Sequence, residues 1–229
     1  MIGIICALQY EAELLISNLT DKKTDTISGM TYTSGILQGK KAVIAVCGVG
    51  KVFAAVCAQT MILKYSPEII VNTGVAGGVH PSLACGDITV AKSVVQHDMD
   101  TSPLGDPKGL LSGINVIYIE CSDKLSEIAR ISKANGSNTV IGVIASGDQF
   151  VASKEKKDFI QNEFNAVACD MEAAAIGHSC YINNTPFCVI RAISDSADGK
   201  AHLDYPTFSK LAANNAAKII NEFVSVVDK

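Results

Sequence analysis

The chain has 229 residues, 48% of them hydrophobic and 18% charged, enough to bury a core and too apolar for a disordered chain. Its 19 Lys and Arg stand against 23 Asp and Glu, a formal net charge of −4, so nothing points to a nucleic-acid partner, which would need clustered cations. Two of the cations, Arg130 and Arg191, are arginines; that scarcity argues against a large anionic substrate, because Arg is the preferred bidentate clamp for phosphate and carboxylate.

The continuous apolar run at residues 2–7 predicts a buried strand, and residues 10–19 place apolar side chains at helical spacing. Residues 30–37 and 41–47 read as strands joined by the hairpin turn Gln38-Gly39-Lys40. Gly48-Val49-Gly50-Lys51 then opens a helix over 52–65, which Pro67 ends. A strand at 68–72 runs into the glycine-rich stretch at 72–78, and a longer strand follows at 87–96. Residues 98–113 are irregular and rich in Gly, Pro, Asp and Ser; a loop of that length is functional or at an interface. Ser122 caps a helix predicted over 122–133. A strand at 139–145 leads to Ser146-Gly147-Asp148-Gln149-Phe150. Helices at 153–164 and 171–181 bracket a strand around Val167. A strand at 187–193 and a helix at 205–227 close the chain.

Strands alternating with helices of this length predict an α/β fold: a single-domain three-layer α/β/α arrangement over 1–229 with a central mixed, mostly parallel sheet. The hairpin within 32–47 supplies the antiparallel part. No internal repeat, low-complexity tract or linker interrupts it. The eight cysteines form no CxxC pair and sit mostly in apolar runs, which reads as free core thiols in a reducing cytoplasm. The chain enters its first strand without a basic leader region, so no signal peptide is expected. No apolar stretch nears the roughly 20 residues of a membrane span.

Two acidic clusters carry the functional reading: Cys169-Asp170-Met171-Glu172 and Ser194-Asp195, each at the C-terminal edge of a predicted strand. Ligands of open α/β sheets bind in the crevice at that edge. A carboxylate there is partly desolvated, which raises its pKa and suits it to deliver a proton. Glu13 reads as a solvated first-turn residue favoured by the helix dipole, whereas Glu11 lies closer to the strand edge and within reach of the crevice. Gly48–Lys51 fails the phosphate-loop and dinucleotide patterns and reads as a tight turn. The glycines of 72–78 fit either a plain turn or close approach of backbone to a ligand. Phe150 is balanced between core packing and stacking on a flat base. His80, His97, His178 and His202 show no metal-ligand spacing, and no GxSxG nucleophile elbow occurs.

In order and spacing, residues 2–5 with Glu11, Gly48–Lys51, 72–78, Ser146-Gly147-Asp148 with Phe150, Met171-Glu172-Ala173 and Arg191-Ala192-Ile193-Ser194-Asp195 resemble the 5'-methylthioadenosine/S-adenosylhomocysteine nucleosidases of the nucleoside phosphorylase superfamily. The resemblance spans nearly the whole chain. It implies hydrolysis of the N-glycosidic bond between adenine and a 5'-thio-substituted ribose. Asp195 would then be the general acid at adenine N7, held by Ser194; Glu11 would activate water; Glu172 would accept the ribose hydroxyls. Phe150 would stack on adenine, the Val151 backbone would read its edge, and Met171 would pack on the ribose. Leu8, Val75, Ala76, Gly77 and Phe208 would complete the pocket. Thr101, Leu104, Asp106 and Lys108 would reach the pocket of a neighbouring subunit in a homodimer. No cofactor or metal is implied.

Val75 stands where the family commonly has Ser, and Asp170 where Glu is frequent. Asp106 and Lys108 stand in a loop that is otherwise aromatic and apolar, which implies a pocket tolerant of the zwitterionic homocysteine tail. Two rivals remain: a phosphorylase, which needs an anion site that neither Arg191 in a strand nor Arg130 on a distal helix supplies, and a non-catalytic nucleoside-binding module, which would not need Glu11, Glu172 and Asp195 together.

Overall fold

The computed structural model describes residues 1–132 and 137–227. In chain order its elements are β1 (Ile2–Cys6), α1 (Gln9–Ser17), β2 (Thr20–Ile27), β3 (Met30–Leu37), β4 (Lys40–Val46), α2 (Lys51–Tyr65), β5 (Ile69–Gly78), β6 (Ile88–Gln96), β7 (Ile119–Glu120), α3 (Asp123–Ile131), β8 (Thr139–Ser146), α4 (Lys154–Phe164), β9 (Ala166–Asp170), α5 (Ala173–Ile182), β10 (Phe187–Asp195) and α6 (Ala201–Val226).

All ten strands belong to one sheet, and part of it closes on itself. β5, β10, β6, β8 and β9 form a ring, because β10 pairs with both β5 and β6. β1 and β4 continue outward from β5 in parallel, and the β2–β3–β4 hairpins finish the open edge. Apolar side chains cover both faces, as a sheet with helices on each side requires. One face packs against Ala54, Cys57 and Met61 of α2 and Ala173, Ile176 and Cys180 of α5. The other packs against Leu15 of α1, Leu125 of α3 and Ala216, Ile220 and Phe223 of α6. The expected three-layer α/β/α arrangement around a mixed sheet is what forms.

The ring explains how two distant acidic clusters meet. β5 and β10 run parallel, with Gly74 opposite Arg191. β9 approaches β5 antiparallel and touches it only at the tips, Gly77 opposite Cys169 and Gly78 opposite Ala168. The C-terminal ends of β5, β9 and β10 therefore converge on one spot.

The boundaries depart from expectation in four places, each with a local cause. The first helix stops at Ser17, and Thr20–Ile27 forms a strand instead. Its side chains are almost all exposed, so no apolar alternation announces it. β5 runs on through the glycine stretch to Gly78. α5 begins at Ala173, since Glu172 takes the cap position with φ −133°. The last helix starts at Ala201 and carries Pro206 inside it. The hairpin turn is Gln38-Gly39, with φ of 50° and 79°, the paired positive angles of a tight two-residue turn. The expected end of the third helix, Lys133, lies outside the described residues.

Candidate active site

Arg191 is the largest fully buried side chain in the fold, with 1% of its surface exposed. Burying a guanidinium is costly unless it is paired and hydrogen-bonded, and here it is both. Its Nε donates to Asp170 Oδ2 at 2.9 Å, and the same oxygen pairs with an Nη at 2.6 Å. That Nη also donates to Asn72 Oδ1 at 2.7 Å and lies 3.7 Å from Glu172 Oε2. Asn72 in turn donates to the Ile5 carbonyl, and Ser146 Oγ donates to Asp170 Oδ1 at 2.5 Å. One cation thus ties β1, β5, β8, β9 and β10 together. Gly74 is required beside it, because a Cβ at that position would collide with the Arg191 guanidinium and the Glu11 carboxylate.

Glu172 and two further carboxyl groups, Glu11 and Asp195, line one cavity beside this clamp. Glu11, in the first turn of α1, folds back to accept from the N–H groups of Ala7 and Leu8 at 2.9 Å each and of Val75 at 3.0 Å. Those bonds occupy three of the roughly four lone-pair positions of a carboxylate, so one remains on Oε1. Burial pushes its pKa up, opposed by Arg191 and the three amides. Glu172 accepts from Gly50 N–H at 2.9 Å. Burial raises its pKa to about 7, with Arg191 pulling down and Asp170 pushing up. Asp195 is 3% exposed. Its Oδ1 accepts from Ala197 N–H and its Oδ2 from Ser194 Oγ, both at 2.9 Å. Burial raises its pKa against those two bonds, which favours the protonated acid.

These groups line a cavity of about 200 Å³, small beside the ~300–1,000 Å³ of ordinary ligand pockets. Glu11, Glu172 and Asp195 all face it. So do Leu8, Val75, Ala76, Gly77, Phe150, Val151, Met171 and Ser194. Phe150 is 51% exposed and lines the cavity, not the core. The glycines of the 72–78 stretch lie within β5, where a Cβ at Gly74, Gly77 or Gly78 would crowd neighbouring side chains. Phe208 does not line the cavity; the aromatic that does is Tyr205, one turn earlier on α6. Tyr205, Val49, Gln149 and Cys169 are lining residues that sequence reasoning missed; the aromatic spacing Tyr205–Phe208 was the one available signal.

The loop residues sit elsewhere in this chain. Thr101 donates to Asp106 at 2.8 Å, Lys108 lies 4.7 Å from the Phe159 ring centroid, and Leu104 is 83% exposed. Gly48–Lys51 is a turn, as expected, and its backbone also holds the site. Gly50 binds Glu172, Lys51 N–H donates to Asp148, and Lys51 Nζ pairs with Asp98 at 2.7 Å. Arg130 pairs with Glu127 on α3. His97 is buried, its pKa lowered to about 4 chiefly by burial, and it stays neutral.

The phosphorylase superfamily model matches residues 1–225. The chain is 34% identical over 226 residues to the 5'-methylthioadenosine/S-adenosylhomocysteine nucleosidase of Staphylococcus aureus, covering 98% of this chain and 99% of that protein. A crystal structure of the nucleosidase of the same name from Neisseria meningitidis, in complex with methylthio-immucillin-A, superposes with a TM-score of 0.94 at 36% identity and 98% coverage of both chains. The futalosine hydrolase of Helicobacter pylori superposes at 0.92, with 35% identity over 97% of this chain and 96% of that one.

Replacing Arg191 with Met leaves buried carboxylates uncompensated. Unfolding in denaturant is expected to show a loss of about 3–5 kcal/mol, the cost of breaking a buried ion pair from one side; a change below about 1 kcal/mol means the clamp does not hold the strands.

Proposed function

The chain belongs to the phosphorylase superfamily and, within it, to the 5'-methylthioadenosine/S-adenosylhomocysteine nucleosidase family, and we infer that it hydrolyses the N-glycosidic bond of those two nucleosides. The products are adenine and the 5-thio-substituted ribose. The observation that carries this reading is the convergence of Glu11, Glu172 and Asp195 on one small cavity whose buried cation is already engaged.

Adenine is a poor leaving group unless its ring nitrogen is protonated. Asp195 transfers its proton to N7 as the C1'–N9 bond breaks, and Ser194 and Ala197 hold the carboxyl in line. Positive charge builds on the ribose. Glu172 accepts hydrogen bonds from the ribose hydroxyls, and its negative charge favours that cation-like state. The free lone pair of Glu11 receives a proton from water as the oxygen joins C1'. Phe150 stacks on the base, and Val151 meets its edge. Water, rather than phosphate, is the acceptor in this reading because Arg191 is spent on Asp170 and Asn72, and Arg130 on Glu127. A phosphorylase would need those cations free.

A homodimer is the second part of the proposal. α2 exposes Val52, Phe53, Val56 and Leu63, an apolar stripe that a second copy would cover. The partner's 98–113 loop would then bring Leu104, Asp106 and Lys108 toward this cavity and favour a zwitterionic tail. Every strand lies in one sheet, which supports reading the chain as one domain. Among the described residues no helix is long and apolar enough to cross a membrane. All eight cysteines are free, which supports a reducing cytoplasm as the site of action.

Adenine should appear from both nucleosides in phosphate-free buffer, and added phosphate should not accelerate it; strict phosphate dependence sinks the hydrolase reading. Asp195→Asn should lower kcat by about 10²–10⁴-fold with substrate affinity retained, the range for lost general acid catalysis. Because Glu172 must be ionised to act and its pKa lies near about 7, kcat/KM should climb as pH rises through that value. Glu172→Gln should abolish that limb; a limb that persists assigns it to another group. Phe53→Asp should yield monomers by sedimentation, and Lys108→Ala should reduce kcat/KM for S-adenosylhomocysteine more than for methylthioadenosine; equal losses refute the tail preference.

A further inference from the structure

The roof of the cavity is held by a contact that the reaction itself does not use. Tyr205 lines the cavity from the N-terminal segment of α6 and meets the Phe150 ring edge-on, centroids 5.6 Å apart at 82°. Its hydroxyl lies 2.9 Å from that of Tyr10, the residue beside Glu11 on α1. The two phenols link the element that carries the water-activating carboxylate to the element that covers the base.

The N-terminal segment of α6 keeps the backbone bonds from Ala201 N–H to Asp198 and from Asp204 N–H to Lys200, but it lacks others. Its cap residue, Lys200, makes no side-chain capping bond, and Pro206 lies inside the helix. Proline has no N–H, so the bond from position 206 to the carbonyl of His202 is missing, and the ring crowds that carbonyl. The turn bearing Tyr205 is thus partly uncoupled from the rest of α6. Beyond Pro206 the helix is anchored: Ser209 is buried, and Ala212, Ala216 and Ile220 pack in the same apolar cluster as Leu15 of α1. Tyr10 lies on α1, whose Leu15 packs in that same cluster. Tyr10 therefore ties the segment before the proline to the helix that packs on α6 beyond it.

We propose that Tyr10 is a positioning residue that pins the N-terminal segment of α6, ahead of Pro206, over the cavity, so that Tyr205 and Phe150 close on the bound nucleoside. This rests on the nucleosidase reading for its substrate, but not for its geometry. The tether acts on retention of ligand, not on bond breaking. Losing such an interaction raises KM and leaves kcat unchanged.

The test is a cycle of Tyr10→Phe, Tyr205→Phe and the double variant, with both nucleosides. Each single change keeps the ring and deletes one hydroxyl. KM should rise about five- to tenfold, the effect of one net hydrogen bond, with kcat within twofold of wild type. The double variant should be no worse than the single ones, because both lose the same bond. Pro206→Ala restores the missing helix bond and should reduce the Tyr10→Phe effect. KM values within twofold of wild type, additive effects in the double variant, or a fall in kcat and melting temperature at constant KM would each overturn the proposal. Titration with adenine alone gives an independent reading: Kd should weaken by a similar factor in Tyr10→Phe, whatever the turnover of the wild type. If Tyr10→Phe does not fold, Tyr205→Phe and Tyr205→Phe with Pro206→Ala carry the same comparison.

Discussion

The buried guanidinium of Arg191 is the constraint from which the rest of the site follows. It sits where β10 meets β5 and pairs with a carboxylate from β9 and an amide from β5. A charge at this depth is tolerated only with its hydrogen-bonding capacity met. The strands that supply those partners must therefore arrive in register, and a one-residue slip would send every side chain to the other face. The ring closure of β5, β10, β6, β8 and β9 is what makes such an arrival possible. Gly74 belongs to the same constraint, because the space a side chain would need is taken by the guanidinium and by Glu11.

The charge balance around Arg191 then sets the chemistry. One cation faces Asp170, Glu172 and Glu11. Two unit charges about 4 Å apart interact by about 4 kcal/mol at the effective dielectric of protein sites, so the order of distance decides who benefits. Asp170, at 2.6 Å, takes the larger share, and Glu172, at 3.7 Å, the smaller. Burial then dominates for Glu172 and lifts its pKa to about 7. The sugar end of the cavity is left with more negative charge than positive, which suits a ribose that turns cation-like. Asp195 stands apart from this group, at the C-terminal end of β10 beside Gly77. There burial raises its pKa without a cation to oppose it. Acid and electrostatic roles are thus separated by distance from a single arginine.

Much of this was legible in the residues. Continuous apolar runs marked β1 and β10, because strands covered on both faces leave few polar positions. The acidic clusters were visible because carboxylates directly after such runs have few structural reasons to be there. What stayed hidden had equally physical causes. β2 is nearly all exposed and polar, so it is held by pairing to β3 and not by any pattern of its own. The meeting of β5 and β9 at their tips depends on the curvature of the sheet, which no local spacing encodes. Arg191 read as an unavailable strand residue; its partners on three other elements follow only from the closed ring. Tyr205 carries no local pattern that marks a lining residue; the resemblance implies Phe208, and the placement of α6 over the cavity brings Tyr205 there instead.

The same clamp bears on why hydrolysis, and not phosphorolysis, fits this chain. Recruiting phosphate would need a cation facing the sugar. Turning Arg191 toward the cavity would strip Asp170 and Asn72 of their buried partner, and removing one side of a buried pair costs more than the pair contributes. A phosphate would also meet Glu11 and Glu172, two carboxylates raised by burial and lacking spare cations. Neutral water meets neither penalty. In the proposed mechanism it needs one acceptor in a fixed direction, the part proposed for Glu11, which three backbone N–H groups hold with one lone pair left over. A phosphate-using relative of this fold therefore has to bring its positive charge from a part of the chain other than the strand that carries Arg191.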